Sequence, residues 1–151
     1  MPKMKNALRK HYVAPWTSNK AEPSSEDWKW LADGVTTADI ENDEETDDTA
    51  YYDGDGSKKT TVVSVKHGYS FEGDYIREDE AQKIIADMRF KVGDGRNVWF
   101  KVVESDGKTQ YVGLATVSDI EIGGGEASDF EGFKATISWD SAPKQSAVVG
   151  G

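Results

Sequence analysis

At 151 residues, 36% hydrophobic and 30% charged, the chain is sized for one domain with a modest core. The absence of cysteine excludes disulfides and thiolate metal sites. A net charge of −10 argues against a nucleic-acid-gripping surface, because such affinity comes from Lys and Arg neutralising phosphates. No apolar run approaches bilayer length, and the start MPKMKNALRKHYVAPW has cations but no apolar h-region, so neither a membrane span nor a secretory signal is expected.

Residues 1–25 read as an N-terminal arm. They lack a sustained period and carry Pro2, Pro15, Pro23 and a Ser24-Ser25 pair, all loop signals. The first twenty residues hold Lys3, Lys5, Arg9, Lys10 and Lys20, and all 28 acids lie beyond them. The main domain is expected over 26–140. In it Val35-Thr36-Thr37-Ala38-Asp39-Ile40 reads as a strand, entering the acidic run IENDEETDDTAYYDGDGSKK. Eight carboxylates fall between Glu41 and Gly56 with no base among them, so residues 41–59 are expected to form a long acidic loop or an extended hairpin with Asp53-Gly54-Asp55-Gly56 near its tip. Structureless loops of that length are uncommon in compact domains and are often functional, and Tyr51-Tyr52 add apolar area that mere solvation does not need.

Strict alternation follows. Val63, Val65, His67, Tyr69, Phe71 and Tyr75 share one face, with Ser64, Lys66, Ser70, Glu72 and Asp74 on the other, which predicts a long half-buried strand. A helix is predicted over 79–91: Ala81, Ile84, Ile85 and Met88 form its apolar stripe, Asp79 and Gln82 a capping box, and Arg89 and Lys91 suit its C-terminal end. Strands are then predicted over 98–104, 110–122 and 132–140, the first two joined by the tight turn Ser105-Asp106-Gly107-Lys108. In the last, Phe133, Ala135, Ile137 and Trp139 alternate with Lys134, Thr136 and Ser138. Residues 141–151 read as a C-terminal arm.

Catalytic chemistry is hard to assemble from this inventory. The two histidines are His11, in the arm, and His67, on the inward face of the long strand. The chain has no nucleophile elbow and no phosphate-binding glycine loop. Asp53, Asp55 and Ser57 match the first ligand spacings of a calcium loop, but Lys58 stands where glycine is needed and Ser64 where glutamate is needed. No enzymatic activity, cofactor or dedicated metal site is expected.

Three stretches resemble the major tail tube proteins of long, non-contractile-tailed bacteriophages: NDEETDDTAYYDGDGSKKT, YSFEGDYIREDEAQKIIADM and VSDIEIGGGEASDFEGFKATISWDSAPK. The resemblance implies a mainly β fold, a β-sandwich or half-barrel of two packed antiparallel sheets flanked by one α-helix, with a long inter-strand loop and extended terminal arms. It implies a structural virion subunit, made in the host bacterial cytoplasm, that self-assembles into stacked hexameric rings. The partners it implies are further copies of the chain, a tape-measure protein, and tail terminator and distal tail proteins. Viral DNA would pass through the lumen without sequence-specific binding. By position, the long loop and arms would bridge rings through Glu41, Asp43, Glu44, Glu45, Asp47, Asp48, Tyr51, Tyr52, Asp53 and Asp55 on one side and Lys3, Lys5, Arg9 and Lys10 on the other. Ser64, Lys66, Ser70, Glu72 and Asp74 are candidates for the lumen wall. Two other classes remain open from the residues: an acidic β-rich module binding carbohydrate or a host protein through its tryptophans and loop, and another ring-forming head–tail or secretion-tube component.

Overall fold

The computed structural model describes residues 3–16, 23, 26–50, 52 and 54–148. A 3-10 turn at Asn6–Leu8 leads into β1 (Lys10–Pro15), followed by β2 (Lys29–Trp30), β3 (Val35–Ala50) and β4 (Lys58–Asp74). Then come α1 (Glu80–Ala86), a second 3-10 turn at Gly93–Arg96, β5 (Asn97–Val103), β6 (Thr109–Ile122), β7 (Gly132–Trp139) and β8 (Lys144–Ala147). The strands pair antiparallel in the order β2-β1-β5-β6-β7-β4-β3, and β8 adds to β6.

This one sheet curls on itself. β1 and β4 stand four places apart, so in a flat sheet they would be roughly 19 Å from each other at the usual strand spacing. Instead the His11 ring on β1 lies 4.9 Å from the rings of Tyr69 and Phe71 on β4. The two packed layers expected from sequence are therefore two halves of a continuous sheet. Phe71, Phe100, Phe133, Val98, Val117 and Ile137 fill the space between the halves, each almost wholly shielded from water. The Trp139 indole N–H donates to the Phe100 carbonyl at 3.1 Å, satisfying the polar atom of the largest core side chain.

α1 closes one end of the core with Ala81 and Ile85. The Asp79 carboxylate caps it by accepting the Gln82 backbone N–H at 3.0 Å. The Gln82 side chain does not complete the expected capping box. It is fully buried, accepts the Ile76 N–H, and donates to the carbonyls of Asp33 and Asp74. The helix also ends at Ala86, short of the predicted 91. Beyond it the Arg96 guanidinium holds the Arg89 and Lys91 carbonyls, so the chain leaves the helix in tight turns.

Two further expectations are corrected, and of the two alternatives for the acidic stretch the extended hairpin is the one adopted. Lys10–Pro15, read as part of an arm, is a strand inside the sheet that pairs with β5 along its whole length and buries His11, Val13 and Ala14. Lys144–Ala147, read as part of a C-terminal arm, is a strand on β6. Most of the acidic stretch is a ladder: β3 runs unbroken to Ala50 and meets β4 from Lys58, with the register continuous except for two irregularities.

Candidate assembly interface

β4 is paired with β7 only from Gly68 to Asp74. Before Gly68, about ten residues of β4 continue with β3 alone, so the hairpin projects roughly 30 Å beyond the body at a strand's usual rise. At the point of departure Gly68 touches β7 so closely that a Cβ there would run into the Ile137 carbonyl and the Ser138 Cα. His67, the last ring before the free part, stacks on Trp139 and pairs its Nδ1 with the Asn42 side-chain oxygen at 3.2 Å. It is half-buried, and Val65 and Val63, expected to be half-buried beyond it, are exposed.

Strand alternation sorts the acidic run by side. Register pairs share a face, so Ala38, Ile40, Asn42, Glu44, Thr46 and Asp48 continue the core side, matched to Phe71, Tyr69, His67, Val65, Val62 and Thr60. The 2.6 Å bond from the Thr60 hydroxyl to Asp48 fits this assignment. Asp39, Glu41, Asp43, Glu45 and Asp47 line the other side, opposite Ser70, Gly68, Lys66, Ser64 and Thr61. A bulge at Val63, where the register slips between Glu45 and Thr46, brings Val62 to the core side. Asp55 lies in the turn, where its carboxylate accepts the Ser57 N–H at 2.9 Å and is held below the usual range mainly by that bond. Tyr52 is fully exposed. Tyr51 and Asp53 lie outside the described residues. Among the described residues, no group of three or more acidic or histidine side chains is arranged to hold a metal ion.

The candidate lumen residues fall on one side. Ser64, Lys66, Ser70, Glu72 and Asp74 share the face of the carboxylate row, and the register extends it across β7 through Thr136 and Lys134 to Ser118 and Glu121 on β6. Lys134 and Glu121 form an ion pair at 3.8 Å on this face. The core and α1 pack on the opposite side. Thus four strands present one polar surface, uncovered among the described residues, that runs without a break into the projecting hairpin. The residues of this surface missed from sequence are Thr136 and Lys134 on β7 and Ser118 and Glu121 on β6; the polar half of the β7 alternation was the available signal for the first two.

The basic N-terminal residues divide. Lys3 and Lys5 are exposed. Arg9 lies 3.8 Å from Glu104 and donates to Asn6, and the Lys10 ammonium sits 5.3 Å from the centre of the Trp30 ring. Two of the four cations expected to reach another copy are therefore engaged within their own chain. Lys101 likewise lies 4.7 Å from the rings of both Tyr12 and Trp28, so these tryptophans meet ammonium groups instead of offering bare stacking platforms.

With 97% of this chain and 100% of the other covered, at 16% identity and a TM-score of 0.67, the fold matches a chain in the tail of an empty gene transfer agent particle solved by helical refinement with C6 symmetry. The two chains share one fold. A chain of the native gene transfer agent virion matches as well, at 15% identity and a TM-score of 0.61, over 92% of this chain and 95% of that one. No protein-family model matches the sequence, and no curated protein does. The likeness to the tail chain thus lies in the arrangement of strands over nearly the whole of both chains and not in shared sequence. Among the described residues no helix is long and apolar enough to cross a membrane.

Proposed function

We propose that this chain is a structural, non-enzymatic subunit of a phage-type tail tube. It self-associates into rings, six copies to a ring, and the rings stack into a tube within the virion. The observation that carries this reading is the end-to-end match of its fold to a chain of a sixfold-symmetric tail.

The geometry of the chain supports it. Among the described residues the β3 edge is unpaired, and such an edge is a ready template for another copy. The uncovered face of β3, β4, β7 and β6 is polar and carries an excess of carboxylates, the chemistry suited to a bore through which DNA slides without sticking. Residues 41–59 and the terminal segments are the ring-to-ring connectors in this reading, and a tape-measure protein, a terminator and distal tail proteins are the remaining partners. The subunit is made in the cytoplasm of the host bacterium.

Electron microscopy of the concentrated, purified chain tests the proposal. Rings or tubes with a central channel are the expected result. A chain that remains a monomer by sedimentation at every concentration reached would overturn it.

A further inference from the structure

The two sides of the β3–β4 hairpin, taken from its root at Asp39–Glu41 outward, are chemically unlike. One carries the row Asp39, Glu41, Asp43, Glu45 and Asp47. The other displays Ile40, Val62 and Val65, each at least half exposed, with Glu44 and Asp48 among them. A two-stranded ribbon is marginal alone in water, and β-branched aliphatic side chains on one side of it are unfavourable unless something covers them.

A matching surface lies at the other end of the same molecule. The hairpin leaves the sheet where β4 meets Ser138 on β7; β4 ends at Asp74, opposite Gly132. At that far end Phe90, Val92 and Phe130 are almost fully exposed. Phe90 borders a shallow groove of about 860 Å³ with Glu72, Gly123 and Gly132. Arg89 and Lys91 flank Phe90; the Arg89 guanidinium sits 5.2 Å from the centre of the Phe90 ring, and neither cation makes an ion pair with another described residue. The aliphatic side of the hairpin matches the phenylalanine end in polarity, and its two carboxylates match the two cations beside Phe90; Phe130 is flanked by the acids Asp129 and Glu131, of which Glu131 is paired with Arg77. Since the two surfaces sit at opposite ends, their contact is head-to-tail and repeats from copy to copy.

Resting on the tube reading above, we propose that the aliphatic side of the hairpin, and not its carboxylate row, makes the contact between successive rings. It seats on the Phe90–Phe130 end of a second copy. The carboxylate row belongs to the same face as Ser70 and Glu72 and lines the bore, where it keeps its water. Burying that row in a contact would desolvate five charges, whereas burying the other side removes hydrocarbon from water.

Three full-length variants test this by electron microscopy and by the critical concentration for stacking: a carboxylate-row variant (Glu41→Gln, Asp43→Asn, Glu45→Gln, Asp47→Asn), an aliphatic-side variant (Ile40→Thr, Val62→Thr, Val65→Thr), and Phe90→Ser with Phe130→Ser. All altered side chains are exposed, and circular dichroism checks that each variant folds. The carboxylate-row variant should stack as the parent does, while the other two should form rings that stack only at a critical concentration about tenfold higher or more. A charge swap gives a second measurement: Arg89→Glu with Lys91→Glu should weaken stacking, and adding Glu44→Lys with Asp48→Lys should restore it. Parent tubes combined with stacking lost in the carboxylate-row variant, or kept in the aliphatic-side and phenylalanine variants, would overturn this inference alone. A parent chain that never forms rings would overturn the tube reading and this inference with it.

Discussion

Asp43 stands opposite Lys66 across the β3–β4 ladder, which sets an ammonium group within the row of Glu41, Asp43 and Glu45. Replacing Lys66 with Glu would place like charges directly opposite each other, which is unfavourable by up to about 1 kcal/mol. Lys66 lies outside the β4–β7 pairing, so the body should be unaffected. Amide hydrogen exchange should quicken along residues 42–66 and remain unchanged in β5, β6 and β7.

Gln82 ties the β2–β3 turn, the end of β4 and the start of α1 together through one buried amide. Gln82→Leu would leave an N–H and two carbonyls without partners. The loss should be about 2 kcal/mol, because a buried amide is removed and three part-buried backbone groups lose their partner together. Urea denaturation followed by tryptophan fluorescence measures it directly.

The Asp79 cap has two opposed contributions. Burial raises its carboxyl above the usual value, the Gln82 N–H pulls it down, and the nearby charges of Asp33 and Glu80 push it up again. A raised folded pKa means that ionisation weakens the fold as pH climbs through the carboxylate range. Asp79→Asn retains the capping oxygen without the charge and should be neutral or stabilising at pH 7. Asp79→Ala loses the cap and should cost about 1 kcal/mol. Thermal melts of the two variants at pH 7 separate these effects.

His11 sets a pH dependence of the opposite sense. Burial, aided by the charge of Arg9, lowers its pKa from 6.5 to about 4. The unfolded chain takes up this proton first, so the contribution of His11 is whole above pH 6.5 and shrinks as pH falls toward 4. Its full size is on the order of 3 kcal/mol. Stability measured between pH 7 and 4 should therefore decline less in His11→Phe, which keeps a ring against Tyr69 and Phe71 but cannot be protonated.

Gly68 is the pivot of the hairpin. In Gly68→Ala the new methyl meets β7 backbone at Ile137 and Ser138, which cannot swing aside as a side chain would. The expected loss is about 1–3 kcal/mol, with exchange protection falling first at the β4–β7 ladder.

The strands β5, β6 and β7 were legible in the sequence because each has one wet and one dry side, and their turns carry glycine. The start of α1 was legible in Asp79 for the same local reason. β1 was not: six residues, KHYVAP, sit in a basic segment and end in proline, and only pairing with β5 makes them a strand. β8 is polar except for Ala147 and shows no period. The hairpin defeats alternation from the other direction, since both of its sides are wet and the pattern has nothing to contrast. Which carboxylates share a side follows from the register with β4, and the bulge at Val63 that re-phases Val62 leaves no mark in the sequence. Arg9 and Lys10 looked free as members of a basic run; their engagement depends on Glu104 and Trp30, far along the chain.

The continuous hydrogen-bonded path from β2 to β3 also has a mechanical meaning. The hairpin is anchored through the β4–β7 ladder, and antiparallel bonds lie across the strand axis. A pull along the hairpin therefore loads the pairs from Gly68 to Asp74 together, in shear, instead of opening them one at a time. The connector is rooted like a lap joint, and axial tension on one subunit passes sideways into the whole curled sheet before any single bond must give.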